Sequence, residues 1–169
     1  IYKVQEDLTE NFKSLLSTFT FAPLSTSKST DSSSAVDTSD WKTYNSKSYT
    51  AMHPRDWKAI KIPADQYQPL GDEDSVFRPP DYVTNAAPVL TNGAEIRIFK
   101  RINSKKQTIN SFIESQLATP NKDSIKNLKK VSYGNNTYFN LFDCWEGCWD
   151  KYYLESGDSF YTITYQCTP

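Results

Sequence analysis

The first apolar positions of the chain recur with the period of an α-helix. Five of them fall at relative positions i, i+4, i+7, i+8 and i+11, and they are Leu8, Phe12, Leu15, Leu16 and Phe19. This spacing predicts an amphipathic helix over residues 6–21, and Pro23 prevents its continuation. Burial of the five side chains would contribute roughly 7–15 kcal/mol before the loss of conformational entropy is counted. We therefore expect this helix to pack on another element.

The next segment has a different composition. Ten of the sixteen residues from 25 to 40 are Ser or Thr, and none is Gly or aromatic. Such a segment has little apolar surface to bury, so we interpret residues 23–40 as a flexible linker. A surface Ser/Thr tract that is glycosylated in a secreted protein is the alternative.

From Trp41 the apolar positions change to the period of two that is typical of β-strands. Residues 48–53 alternate, with Tyr49 and Ala51 on one face. Residues 57–62 are predicted to pair with them as a hairpin across the turn at 53–56. Residues 63–93 contain five prolines, and we interpret them as a long excursion with a short strand around 75–77.

The second half of the chain combines one helix with several strands. Residues 94–102 are predicted as a strand, and residues 108–118 as a helix with Thr108 at its N-cap. Four further strands are predicted at residues 128–133, 136–144, 148–155 and 159–167, with Gly-containing turns between them. Strands, a helix and then an antiparallel meander indicate the α+β class.

The composition favours a β-rich domain and argues against nucleic-acid binding and against a membrane-spanning helix. Aromatic residues make up 14% of the chain while all hydrophobic residues make up only 37%, so the apolar surface is concentrated in rings, which suit pleated sheets. The formal net charge of −1 means that the chain lacks the excess of positive charge that is typical of nucleic-acid-binding domains. No apolar run reaches the roughly 20 residues that a spanning helix needs, so we expect no membrane span.

Three cysteines leave several kinds of chemistry open. Cys144 and Cys148 flank a three-residue loop that contains Gly147, so they can face each other across the mouth of a hairpin. We predict a disulfide between them, which leaves Cys167 over and favours an oxidising, extracytoplasmic location. Buried free thiols are one alternative. A zinc site built from the three cysteines and His53 is another, although structural zinc sites usually show two closely spaced ligand pairs.

No arrangement typical of catalysis is present in the sequence. The single histidine, His53, precedes Pro54 in a predicted turn. No serine or cysteine lies at a spacing from it that is typical of a catalytic nucleophile. We therefore expect no enzymatic activity, no metal and no cofactor. The acidic residues Asp72, Glu73 and Asp74 lack the periodic oxygen ligands of an EF-hand loop, so a solvated loop is expected there and a Ca²⁺ site is the alternative.

Aromatic and acidic residues together supply the candidate partner-binding surface. Trp145 and Trp149 flank the predicted cysteine hairpin and could form a platform for a sugar or a protein, with core packing as the alternative. The acidic residues Asp72, Glu73 and Asp74 complete the candidate set.

The residues that open the second part of the chain resemble a known family. Trp41-Lys-Thr-Tyr44, followed by Tyr49, Pro54 and Trp57, resembles the opening of PsbP-like domains, whose usual form is close to W-x-x-Y-x-x-x-x-Y-x-x-x-x-P-x-x-W. The family includes bacterial lipoproteins and surface domains, the extrinsic PsbP subunit of photosystem II and a Ran-binding nuclear import factor. The resemblance extends through residues 96–102, 108–118 and 136–167, but the aromatic-rich YGFSF of bacterial members is YTAMH here.

The resemblance implies an α/β/α sandwich with an unusual order of elements. In PsbP-like domains the last strand is followed by a closing amphipathic helix that ends in something like ILSTFKF. Here the matching segment, LLSTFTF at residues 15–21, lies at the other end of the chain. We therefore expect residues 1–22 to be a closing helix, 23–40 a linker and 41–169 the PsbP-like domain. The helix either folds back onto its own sheet, which the tether favours, or docks on another copy in a domain-swapped or head-to-tail association.

These expectations lead to one main hypothesis for function and two alternatives. The main hypothesis is a non-catalytic, extracytoplasmic binding or structural module of PsbP-like fold, secreted or attached to the cell surface, as lipoprotein relatives are. Its partner would be a protein or another copy of the same domain. The alternatives are an intracellular protein-interaction adaptor that resembles the Ran-binding import factor, and a carbohydrate-binding surface module.

Overall fold

Seven antiparallel strands form the central sheet of the computed structural model, which describes residues 2–21, 36–62, 73–84, 90–117, 125–144 and 148–167. The helices are α1 (Tyr2–Thr18) and α2 (Ile109–Gln116). The strands are β1 (Thr20–Phe21), β2 (Lys42–Asn45), β3 (Tyr49–His53), β4 (Lys58–Lys61), β5 (Glu73–Arg78), β6 (Val83–Thr84), β7 (Leu90–Asn92), β8 (Ala94–Ile102), β9 (Lys129–Tyr133), β10 (Asn136–Cys144), β11 (Cys148–Ser156) and β12 (Ser159–Cys167). The central sheet has the order β4-β5-β8-β12-β11-β10-β9, a smaller sheet has the order β1-β3-β2, and β6 pairs with β7.

Helix α1 and the small sheet cover one face of the central sheet. The described apolar side chains of the predicted helical stripe are all buried, and they are Phe12, Leu15, Leu16 and Phe19. The Phe12 ring stacks on Tyr165 of β12 with the ring centroids 4.7 Å apart. The Phe19 ring stacks on Tyr49 of β3 at the same separation. The apolar face predicted for the first helix is therefore confirmed for these positions, and the helix packs on the sheet of its own chain.

The turn between β9 and β10 holds the carboxyl end of α1. The Tyr138 hydroxyl donates a hydrogen bond to the carbonyl oxygen of Leu16 (2.8 Å), and the Asn136 amide donates one to that of Phe19 (2.6 Å). Gly134 has a φ of +56°, and a Cβ at this position would overlap the carbonyl oxygen of Ser17. Residues far away in the sequence thus donate to carbonyl groups in the last turn of the helix and just after it.

The helix begins and ends earlier than predicted. It runs from Tyr2 to Thr18, whereas the pattern predicted residues 6–21 with Pro23 as the stop. The structural reason for the early end is that Thr20 and Phe21 pair with β3 as a short strand. Thr18 supports this change of direction because its hydroxyl donates to the Leu15 carbonyl and accepts a hydrogen bond from the backbone N–H of Met52.

Helix α2 packs on the opposite face of the central sheet. Phe112 stacks on Phe160 of β12 with ring centroids 4.4 Å apart, and Ile113 and Leu117 are buried beside it. Thr108 is the N-cap, as predicted, because its hydroxyl accepts a hydrogen bond from the backbone N–H of Ser111. The last strand, β12, serves both faces, since its alternate residues contact α1 and α2 and its side chains from 159 to 165 are buried.

The predicted hairpin over residues 48–62 is wrong in its pairing. Residues 49–53 do alternate between buried and half-buried positions, but β3 pairs with β1 and β2 and not with β4. The turn after His53, closed by a hydrogen bond from the Trp57 N–H to the Pro54 carbonyl, carries the chain into the central sheet, where β4 pairs with β5. A period of two identifies a strand, but its partner is decided by distant residues.

The remaining predictions agree with the structure to different degrees. The strands predicted at 94–102, 136–144 and 159–167 are observed with those bounds, and the α+β class is confirmed. The short strand predicted around 75–77 is observed within β5, which pairs with β8, and the described part of residues 63–93 also holds β6 and β7, which pair with each other. Most of the predicted linker, residues 23–35, lies outside the described residues, and its end at 36–40 leads into the turn before Trp41.

Candidate functional site

The two candidate disulfide cysteines are register partners at the end of the β10–β11 hairpin. Cys144 lies opposite Cys148 in the backbone register of the two strands, and the structure describes the backbone of these residues but not their side chains. Directly opposed residues in an antiparallel pair have Cα atoms about 4.5–5.5 Å apart, which falls within the range that a disulfide needs. The predicted position across the mouth of a hairpin is therefore observed, and the bond itself stays a prediction.

The structure does not bring the candidate acidic residues and tryptophans together. Trp145 and Asp72 lie outside the described residues, and the others occupy separate parts of the central sheet. Glu73 of β5 is the register partner of Lys100 of β8. Lys100 is opposite Tyr161 of β12, and Tyr161 is opposite Leu154 of β11. Trp149 lies five residues before Leu154 on the same strand. That separation is about 17 Å along the strand, and three strand spacings add to it, so these residues do not form one surface.

The acidic residues Glu73 and Asp74 are also not in a loop. They are the first two residues of β5, and Asp74 pairs with Phe99 of β8. The short strand predicted around 75–77 therefore begins two residues earlier than expected and includes both of these acidic residues. Asp72 and the prolines at 63 and 69 lie outside the described residues.

The α1 face of the β10–β11 hairpin carries an arrangement that the sequence did not single out. Asn140 pairs with Tyr152, and Phe142 pairs with Asp150, so the four side chains occupy two adjacent rungs on one face. The Asn140 amide donates a hydrogen bond to one carboxylate oxygen of Asp150 (2.5 Å), and the Tyr152 hydroxyl donates one to the other (2.9 Å). The Asp150 carboxylate is therefore held in a fixed orientation.

Phe142 is the most exposed large apolar side chain among the described residues, with 63% of its surface accessible. Its neighbour Leu141, which points to the α2 face, is completely buried. Alternation along a strand shows that Leu141 and Phe142 face opposite sides of the sheet. Because both residues are apolar, the sequence does not show which of them is buried. Trp149 is half-buried and lies on the opposite face, as the register partner of Asp143.

Two titratable groups at or beside this site, Tyr152 and Lys13, have raised pKa values. Burial raises the pKa of the Tyr152 hydroxyl, and the negative charge of Asp150 raises it further, so the hydroxyl remains a donor at neutral pH. On the neighbouring helix α1, Lys13 forms an ion pair with Glu10 at 2.6 Å. This hydrogen bond raises the pKa of Lys13 against the opposing effect of burial, and the nearby charge of Asp150 contributes in the same direction.

His53, the only histidine in the chain, is a buried side chain of the core region. It is 4% exposed and packs against the Phe77 ring, and its Nδ1 atom lies 2.9 Å from the Pro54 carbonyl oxygen. A carbonyl can only accept, so Nδ1 is the protonated nitrogen in this contact. Burial lowers the pKa of His53, the Pro54 carbonyl opposes that shift, and the positive charge of Lys42 adds to it.

A second buried polar cluster fixes the β6–β7 ribbon region to the central sheet. Glu95 of β8 accepts hydrogen bonds from Arg78 (2.9 Å) and from the Tyr82 hydroxyl (3.0 Å), and the Arg78 guanidinium lies 4.1 Å from the centre of the Tyr82 ring. Burial raises the pKa of Tyr82 to about 12, and the charge of Glu95 adds to this effect. These groups satisfy one another, so the cluster is a structural contact.

An open cleft of about 480 Å³ lies beside α2, and it is lined by Ser111, Glu114, Ser115, Leu117 and Ile125.

Within the described part of the chain, no group of three or more His, Cys, Asp or Glu side chains lies close enough together to hold a metal ion. None of the helices described is both long and apolar enough to cross a membrane.

No protein-family model, no curated protein and no solved structure shows a significant match to this chain.

Proposed function

We propose that this chain is a non-catalytic binding or structural module of PsbP-like fold that works outside the cytoplasm, and that it binds through the α1 face of the β10–β11 hairpin. The observation that carries the proposal is the pairing of the exposed Phe142 ring with the fixed Asp150 carboxylate. The other large rings on this face, among the described residues, are buried or half-buried in the core that α1 and the small sheet complete. An exposed ring beside an oriented polar group is typical of binding sites.

The position of α1 supports the family part of the proposal. The segment that resembles the closing helix of PsbP-like domains includes Leu15, Leu16 and Phe19, and these side chains are buried on the sheet built from the rest of the chain. A helix on each face of an antiparallel sheet is the arrangement that the resemblance implied. The N-terminal origin of the closing helix is compatible with that arrangement because burial depends on position in space and not on order in the sequence.

A photo-crosslinking experiment tests the binding surface. The full chain, carrying p-benzoylphenylalanine in place of Phe142, is produced in its own cells and irradiated. We expect a discrete adduct from this variant and none from the matched variant at Ile102, which is also an exposed apolar residue (50%) but lies at the far end of β8. Identical products from the two variants, or none from either, would contradict the proposed surface. A turnover activity that is lost on substitution of one titratable residue would contradict the non-catalytic role.

The state of the cysteines separates the extracytoplasmic module from the intracellular adaptor. The register of Cys144 and Cys148 favours the first, because it permits a disulfide without a change of pairing. We expect native protein, alkylated rapidly in the producing cells, to contain one free thiol, at Cys167. Three free thiols would favour the adaptor that resembles the Ran-binding import factor.

A further inference from the structure

The exposed end of the α1 face combines an aromatic ring with fixed hydrogen-bonding groups. Phe142 and Asp150 are directly opposed, so their Cβ atoms lie about 4.5–5.5 Å apart, and Asn140 lies two residues from Phe142 on the same face of β10. The Phe142 side chain thus has a carboxylate and an amide as neighbours on the same face of the sheet. A pyranose ring has complementary chemistry, because its C–H face packs on an aromatic ring while its hydroxyls hydrogen-bond to planar polar side chains.

The carboxylate is oriented but not saturated by its neighbours. A carboxylate offers about four acceptor positions, and the bonds from Asn140 and Tyr152 use one on each oxygen of Asp150. Both donors are anchored by the sheet, and Tyr152 is itself buried against Phe12 of α1. The remaining acceptor positions can therefore receive ligand hydroxyls at little cost in side-chain entropy.

The charges around this site favour a neutral ligand over a basic one. Lys13 of α1 lies close enough to Asp150 for the negative charge to raise the pKa of the lysine. Lys129 of β9 is exposed and is the register partner of Asn140. The two ammonium groups balance the carboxylates of Asp150 and Glu10, so a cationic peptide meets repulsion as well as attraction. Uncharged hydroxyls can donate to Asp150 and accept from a lysine.

From this geometry we infer that Phe142, Asn140 and Asp150 form a binding site for a neutral pyranose, as part of an oligosaccharide. The inference rests on the proposed binding function and names the class of ligand. It differs from the tryptophan platform expected from the sequence, because Trp149 lies on the opposite face and Trp145 lies outside the described residues.

The test is calorimetric titration of the full chain with four neutral hexasaccharides: cellohexaose, chitohexaose, xylohexaose and mannohexaose. We expect at least one to bind with a dissociation constant of about 1 mM or tighter. The Phe142→Ala and Asp150→Asn variants should each weaken that binding by about tenfold or more, and Phe142→Trp should retain it. The matched control Ile102→Ala removes another exposed apolar side chain (50%) at the far end of β8 and should leave the affinity unchanged. Because the Phe142 side chain is largely exposed, the alanine variant is expected to keep its melting temperature.

Several outcomes would overturn the inference. These are failure of all four saccharides to bind, binding that Phe142→Ala leaves unchanged, and preferential binding of oligolysine at the same residues. If saccharides fail but the crosslinker at position 142 still gives a discrete protein adduct, the binding function stands and the sugar site falls. If crosslinking at 142 and saccharide binding both fail, the proposed function falls as well.

Discussion

Gly134 and Gly157 both have positive φ angles, but only Gly134 is in contact with another element. A Cβ at Gly134 would overlap the Ser17 carbonyl oxygen at the end of α1, whereas a Cβ at Gly157 would meet nothing within 4 Å. We expect Gly134→Ala to lower the free energy of unfolding by about 2–4 kcal/mol, because it adds a steric clash to the backbone strain. Gly157→Ala is the matched control and should cost about 1 kcal/mol from backbone strain alone.

Urea unfolding of the two glycine variants measures this difference. If the two variants lose the same stability, the contact between the β9–β10 turn and the end of α1 does not constrain position 134.

The buried His53 makes stability depend on pH in a predictable direction. Burial lowers its pKa in the folded chain, so the unfolded chain binds more protons in the interval between the two pKa values. This contribution to stability is fully present above the unfolded pKa of about 6.5 and is lost as the pH falls towards the folded value. We expect the urea midpoint to decrease between about pH 7 and pH 5.

The variant His53→Gln provides the comparison for this pH dependence. Since the chain has no second histidine, the decrease over that interval should become much smaller in the variant, whatever its overall stability. An equally steep decrease in both proteins would show that other groups cause it.

At the scale of elements, β10 holds the carboxyl end of helix α1 against the central sheet. Its Tyr138 hydroxyl is buried and donates to the Leu16 carbonyl of α1, and burial raises the pKa of this hydroxyl so that it stays protonated. We expect Tyr138→Phe to lower the free energy of unfolding by about 0.5–1.5 kcal/mol, because it removes the shorter of the two hydrogen bonds to the Leu16 carbonyl and leaves only the longer one from the Phe19 N–H (3.4 Å). Amide hydrogen exchange should become faster in the last turn of α1.

The control for this substitution is Tyr44→Phe, which also removes one tyrosine hydroxyl. That hydroxyl bonds to the Ser75 side chain at 2.8 Å and does not contact the end of α1. Exchange in the last turn of α1 should therefore be unchanged in this variant. Equal acceleration in both variants would contradict a specific role for Tyr138 in holding the helix.

The sequence predicted elements well where the pattern was local and failed where pairing was distant. The stripe through Phe12 and Phe19 identified a buried helix face, and alternation through Tyr161 and Tyr165 identified a central strand. The partner of β3 was predicted incorrectly, because a strand pattern does not specify which edge it joins.

The candidate site was the least predictable part of the molecule. Phe142 looked like any apolar strand residue, and its exposure follows from the register of β10 and β11 together with the position of α1. Only the structure shows that the ring and the Asp150 carboxylate are opposed. The sequence favoured the tryptophans and the acidic run because those residue types are conspicuous, but the structure places them in separate parts of the sheet or outside the described residues.

For the whole molecule, α1 and the sheet share one hydrophobic core. Four fully buried side chains of α1 would contribute about 6–12 kcal/mol by burial, which is comparable with the entire stability of a typical domain. We expect deletion of residues 1–24 to unfold the protein, as measured by thermal melting and near-UV circular dichroism. Addition of a peptide of residues 1–24 should restore the folded signal. An unchanged melting temperature would mean that the helix is dispensable for this fold.

The hydrogen bonds that hold the end of α1 also affect how the chain is made. Asn136 and Tyr138 contact carbonyl groups 117 and 122 residues earlier in the sequence. At about 5–20 residues per second, a ribosome needs roughly 6–25 s to supply those donors after the helix has been synthesised. During that interval the sheet that buries the Leu and Phe side chains of the helix in the folded structure is not yet complete. We expect this chain to depend on chaperones that shield apolar segments early in translation, more than a protein whose closing helix is synthesised last.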